Sequence, residues 1–238
     1  MKPLVFVAAF CTAICATPLL AAEEAHDALK QRVVALARSV GPDDYAFTRT
    51  ARVEQSEGAE KTTRIMEERF DPRKPAAQRW TLVSIDGRAP TEAELTSHRK
   101  EAPKRRVSSY GRVADYFAAP STTAAGANGR TVFRFTALPK ESLVLNDADL
   151  SSSAIAEANV DLNAAVPFVE QVRFTLTKPA RVKLVAKVEK METTTRYRML
   201  PDGKPVPVEQ VSDMTGSMLG KSGRIRTVLT YGDHQRAR

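Results

Sequence analysis

Phe168, Val172, Phe174 and Leu176 alternate against Val169, Gln171, Arg173 and Thr175. A period of two fits only a strand with one face in a core and the other toward water. The same period recurs along the second half of the chain. Phe133 and Phe135 carry it in 131–138, and Ala158, Val160 and Leu162 in 154–162. After the Lys178-Pro179 turn come Val182, Leu184, Ala186 and Val188, then 193–200. Pro201-Asp202-Gly203-Lys204 is a hairpin signal, answered by 206–214 and finally by Ile225, Thr227, Leu229 and Tyr231. A short strand is expected at 142–145. Nearer the start, 45–53 places Tyr45, Phe47, Ala51 and Val53 on one face, and 62–70 pairs back with Met66 and Phe70. A polar turn with Gly58 at 55–60 separates them. Trp80 and Leu82, opposed by Val83 and Ile85, make 79–85 a strand covered on both sides.

So many alternating strands joined by tight turns imply a large meandering antiparallel sheet. Its dry face needs a cover, and three helical stretches can supply one. Leu29, Val33 and Leu36 form a single stripe that ends at Gly41-Pro42. Thr91 and Glu94 have capping-box spacing, so a helix begins there and runs to about Lys100. Tyr110, Val113 and Phe117 are spaced as a short third helix, and 120–129 reads as a small-residue loop. The fold class is therefore α+β: a large curved antiparallel sheet, an open half-barrel, with helices on its concave face.

Residues 1–22 have the three parts of a signal peptide: Lys2, an uncharged apolar run from Leu4 to Leu20, and Ala21-Ala22 before Glu23-Glu24. Cleavage is expected after Ala22, leaving 23–238 as one domain in the periplasm. Cys11 and Cys15 both leave with the leader, so the mature chain holds no disulfide, thiol nucleophile or thiolate metal site. The net charge is +8, and loss of Lys2 leaves +7. In an exported protein this charge bears on solubility, or on transient contact with an anionic membrane surface, and nucleic acid is not an expected partner.

No catalytic constellation stands out, so neither an enzyme nor a cofactor is expected. His26, His98 and His234 have no metal-ligand spacing, and the two terminal ones are expected to be solvated. Ser97 and Lys100 have the Ser-x-x-Lys spacing of some acyl enzymes but none of the accompanying motifs. Asn146-Asp147-Ala148-Asp149 lacks the glycine and glutamate of an EF-hand: counting from Asp147, Ser152 and Ala158 stand in their places. His98-Arg99-Lys100 and Lys104-Arg105-Arg106 form a basic cluster, read as a solvated loop. The remaining candidates are apolar: Tyr45, Phe47, Met66, Trp80, Phe133, Phe135, Phe174, Met199 and Met214. They either fill a core or line an adaptable apolar cavity between sheet and helices.

A leader, an amphipathic helix, three strands, a helical insertion and a long run of strands, together with the stretch Arg79-Trp80-Thr81-Leu82-Val83-Ser84-Ile85-Asp86-Gly87-Arg88-Ala89-Pro90-Thr91, resemble the LolA/LolB-like lipoprotein-carrier superfamily of unclosed barrels. The resemblance covers about Glu23 to Tyr231. It implies non-covalent holding of an acyl chain, lipid or lipoprotein anchor in the concave cavity, and no residue's role is carried over from the family. The nine apolar residues are the ligand-binding candidates on their own account, and a monomer is expected. The alternative is a protein–protein interaction or envelope-sensing module of the same fold with a filled core.

Overall fold

The computed structural model describes residues 17–105, 107–145, 147–183, 186–218 and 220–237. Most of the expected leader, with Cys11 and Cys15, lies outside them, as do Asn146, Leu184 and Val185. The first helix, α1, spans Thr17–Arg38 and so runs through the expected cleavage point. Its buried face is Val33 and Ala37, continued by Val40 just past the helix. Leu29 and Leu36 are half-buried beside it. The stripe thus follows i, i+4, i+7 from Val33 rather than ending on Leu36. The Gly41 amide donates to the Asp44 carboxylate at 2.7 Å and turns the chain into the sheet.

Three strands follow: β1 (Tyr45–Glu57), β2 (Glu60–Phe70) and β3 (Trp80–Ile85). Next come α2 (Glu92–Glu101) and α3 (Val113–Tyr116), then β4 (Thr122–Ala125) and β5 (Arg130–Phe135). A small hairpin of β6 (Val144–Leu145) and β7 (Ala148–Asp149) precedes β8 (Ala154–Asp161) and β9 (Phe168–Leu176). The chain closes with β10 (Ala180–Lys183), β11 (Ala186–Met199), β12 (Pro205–Met218) and β13 (Lys221–Arg236).

The large sheet has 11 antiparallel strands in the order β3-β2-β1-β13-β12-β11-β9-β8-β5-β4, with β10 also paired to β11. It is open, ending on β3 and β4. The first strand lies against the last: Tyr45 is opposite Arg236 and Glu57 opposite Gly223. This is the expected α+β class, an open antiparallel sheet with helices packed on one face.

Several local expectations change. The turn at 55–60 shrinks, because β1 continues to Glu57 and β2 starts at Glu60, with Gly58 at φ 57 making the reversal. The loop at 120–129 contains edge strand β4. The alternating run at 182–189 is two strands: Ala180 pairs with Val188 across a hairpin. Alternation survives a reversal, so periodicity alone could not reveal the turn. The third helix is one α-turn, preceded by a 3-10 turn at Tyr110–Arg112.

Two apolar clusters fill the helix-covered face. The larger joins Val33 and Ala37 to Tyr110, Val113, Phe117 and the inner residues of β5, β8, β9 and β11. Tyr110 anchors it by accepting the Val169 amide at 2.8 Å, and its ring meets Tyr197 edge-on at 5.1 Å. The smaller packs Phe47, Phe70, Trp80, Tyr231 and Ala102. Among the described residues no helix is long and apolar enough to cross a membrane.

Candidate ligand-binding groove

Strand register sorts the inner face into rows, because directly opposed residues point to the same side of a sheet. One row is Met66, Ala51, Leu229, Gln210 and Thr195. The next is Arg64, Val53, Thr227, Ser212 and Thr193, and the third is Thr62, Gln55, Ile225, Met214 and Met191. Met191 is buried in the larger cluster, whereas Met214 and Ile225 in the same row are only half-buried. The apolar face therefore continues past the end of its helical cover.

A groove of ≈ 430 Å³ opens there, among the ends of β1, β10, β11, β12 and β13. Leu145, Val182, Val188, Met214 and Ile225 line it, with Gln55 at one end, and most of its wall is apolar. Local backbone makes the room. A bulge between Val188 and Lys190 keeps both Val188 and Met191 on the inner face. Gly216 and Gly223 stand directly opposite each other, so two neighbouring strands carry no side chain at that row. A Cβ on Gly216 would lie 2.3 Å from the Lys187 carbonyl, so β11 and β12 could not approach as they do with any other residue there. Lys221 and Glu57 pair at 3.1 Å beside the opening.

A second, more polar groove of ≈ 530 Å³ adjoins the first and shares Gln55 with it. Val53, Arg64, Ile85, Arg88 and Glu94 line it. Here the predicted capping box is present. Thr91 Oγ1 accepts the Glu94 amide at 3.3 Å, and a Glu94 carboxylate oxygen accepts the Thr91 amide at 2.8 Å. Arg88 donates to both Glu94 oxygens, at 2.9 and 2.7 Å. The hydrogen bond from Arg88 and the capping contacts hold the Glu94 carboxyl down at about 2.

Deeper under α2 lies a buried charge cluster. The Glu68 side chain is wholly enclosed and accepts from Arg49 Nε at 3.1 Å and Nη2 at 2.5 Å. It also accepts from His98 Nε2 at 2.7 Å and from Arg105. Burial acts to raise its carboxyl, but the His98 hydrogen bond and the two guanidinium groups prevail and hold it at about 2. Arg49 lies over the Trp80 ring at 4.1 Å. The basic cluster expected to be solvated thus sends His98 and Arg105 inward, leaving Arg99 and Lys100 exposed. A buried acid needed partners: β1 supplies Arg49, α2 supplies His98, and the turn after α2 supplies Arg105.

The nine residues singled out by sequence do not share one cavity. Phe133, Phe135 and Phe174 are buried in the larger cluster, with Met199 and Met214 packed against it. Phe47 and Trp80 belong to the smaller cluster. Tyr45 is buried and donates to the Asp202 carboxylate at 2.5 Å, and half-buried Met66 lies beside Ile85. Of the nine, only Met214 reaches the ≈ 430 Å³ groove, while Tyr45 and Phe47 border a void of ≈ 20 Å³.

Two expectations for the histidines are overturned. The His26 ring packs on Phe133 at 5.0 Å, and the half-buried His234 ring sits beside Phe47 at 5.8 Å with neither ring nitrogen hydrogen-bonded. Ser97 and Lys100 are exposed on α2. Among the described residues no group of three or more His, Cys, Asp or Glu is placed to hold a metal.

Sequence reading missed Glu68 as a site residue, although it stands between Met66 and Phe70 on the apolar face of its strand. It also missed Val182, Val188 and Ile225 as lining, because strand ends from distant segments assemble the groove.

No protein-family model matches the chain, and no curated protein does. Among solved structures it is similar to a LolA superfamily protein from Nitrosomonas europaea, with 11% identity, 89% of this chain and 93% of that one covered, and a TM-score of 0.37. It is also similar to a DUF1329 family protein from Desulfovibrio piger ATCC 29098, with 10% identity, 88% and 92% coverage, and a TM-score of 0.34.

Proposed function

We propose that this chain is an exported, non-catalytic binding protein that holds the apolar chain of an acyl compound, lipid or lipoprotein anchor in the groove at the hairpin end of its sheet. The supporting observation is the ≈ 430 Å³ mainly apolar groove on the inner face of the sheet, past its helices. Its volume falls within the roughly 300–1,000 Å³ typical of small-molecule sites. Covering about 200–300 Å² of an acyl chain contributes about 5–8 kcal/mol before the costs of association. The site lies apart from most of the nine apolar residues: their aromatics pack as core, and Met214 joins them to the groove. Export places the protein in the periplasm, where its basic charge favours approach to anionic membrane surfaces.

Native mass spectrometry of protein purified without detergent tests this reading. Wild type should carry or take up acyl ligands, and Met214→Glu, which puts a charge against the apolar wall, should take up at least tenfold less while staying folded. A uniformly empty wild type that ignores added lipid would overturn it.

A further inference from the structure

The two adjoining grooves differ in chemistry. The first is mainly apolar, and of the cations at its edge Lys221 is paired with Glu57 and Arg224 with Asp213. The second offers guanidinium groups, and Gln55 borders both. Their floors are adjacent rows of one sheet face: Arg64 and Val53 are two residues along their strands from Thr62 and Gln55, a separation of about 7 Å.

The charges of the polar groove are unequally committed. Both Glu94 oxygens are engaged by Arg88, with one of them also holding Thr91. The Asp86 carboxylate accepts the Ile65 amide at 2.7 Å. Arg64 reaches Glu94 only at 3.8 Å, beyond hydrogen-bond range, and its side chain is 54% exposed. It is the cation there best placed to turn toward a new anion.

We propose that the two grooves act as one trough across Gln55 and take a single-chain amphiphile with an anionic head, the head meeting Arg64 and the Gln55 amide while the chain lies over Ile225 and Met214 toward Val182. This rests on the groove reading above and adds the class of ligand and its direction. Charge complementarity selects the anion, since a carboxylate or phosphate accepts charge-assisted bonds from a guanidinium. Dimensions select one long chain: from β2 to β11 the trough crosses four strand spacings, about 19 Å. The half-exposed position of Arg64 makes the head contact a modest one that tunes selection, while the apolar groove provides most of the affinity.

Palmitate and hexadecanol share a chain and differ in charge. Displacement of an apolar fluorescent probe by each should be measured on wild type, Arg64→Gln and Arg64→Lys. Wild type should prefer palmitate. Arg64→Gln should weaken palmitate about fivefold, leave hexadecanol unchanged, and have its loss partly restored in Arg64→Lys. Unchanged thermal melting would show that Arg64→Gln is folded, as its exposed site predicts. If both ligands bind and Arg64→Gln affects neither, or both alike, the head assignment fails and the groove reading stands. If neither binds wild type, the groove reading fails with it. Probe displacement by phosphatidylglycerol vesicles but not by palmitate would overturn the single-chain assignment.

Discussion

Glu68 is held by three side chains from elsewhere in the chain, Arg49, His98 and Arg105, and no water reaches it. Breaking a buried pair by removing one partner leaves uncompensated charge, so Glu68→Gln should destabilise the fold by about 3–5 kcal/mol in urea denaturation. The pH dependence follows from the carboxyl being lowered from 4.5 to about 2. A carboxylate with a depressed folded-state pKa contributes stability that is fully present above about pH 4.5 and is lost as pH falls toward 2. That contribution is about 3 kcal/mol, so wild type should lose stability between pH 5 and 3 more steeply than Glu68→Gln. The carboxylate was visible in sequence as a charge on a strand's apolar face. Its partners were not, because Arg49 lies 19 residues away, His98 30 and Arg105 37.

At the scale of elements, the start of α2 was legible in sequence. Its start was given by Thr91 and Glu94, and both reciprocal bonds form. Its buried side is narrow, with His98 the enclosed side chain and Leu95 half-buried. Few apolar contacts hold it beyond the His98 anchor on Glu68, so the cap at its first turn is felt. Thr91→Ala should cost about 1 kcal/mol and speed amide exchange in α2 while leaving β8 and β9 protected. The hairpin of β10 and β11 was illegible, since a period-two pattern runs unbroken through the reversal. Gly216 was equally silent, because its role is the approach of the Lys187 carbonyl from the neighbouring strand. Gly216→Ala should force β11 and β12 apart at a cost of roughly 1–3 kcal/mol, read as a lowered melting temperature.

For the whole molecule, a ligand that binds only the folded chain stabilises it by mass action. Saturation at about 100 times Kd should add about 2.7 kcal/mol, which raises the melting temperature by about 5–10 °C at this size. The rise should be absent in Met214→Glu. Such coupling is global because the groove is built from strand ends of one continuous sheet in which the first strand, β1, lies beside the last, β13. By itself the sequence determined the kind of molecule: period-two alternation sets strands, tight turns set antiparallel neighbours, and scarce helices on one dry face set an open α+β sheet. Those signals are local, carried by residues a few positions apart. Tertiary structure alone decided that the first strand pairs with the last, that the aromatics fill two cores, and that the open space lies beyond the helices at Met214 and Ile225. These depend on contacts between residues far apart in the chain, whose apolar side chains look the same in sequence whether they pack against a neighbour or face an empty groove.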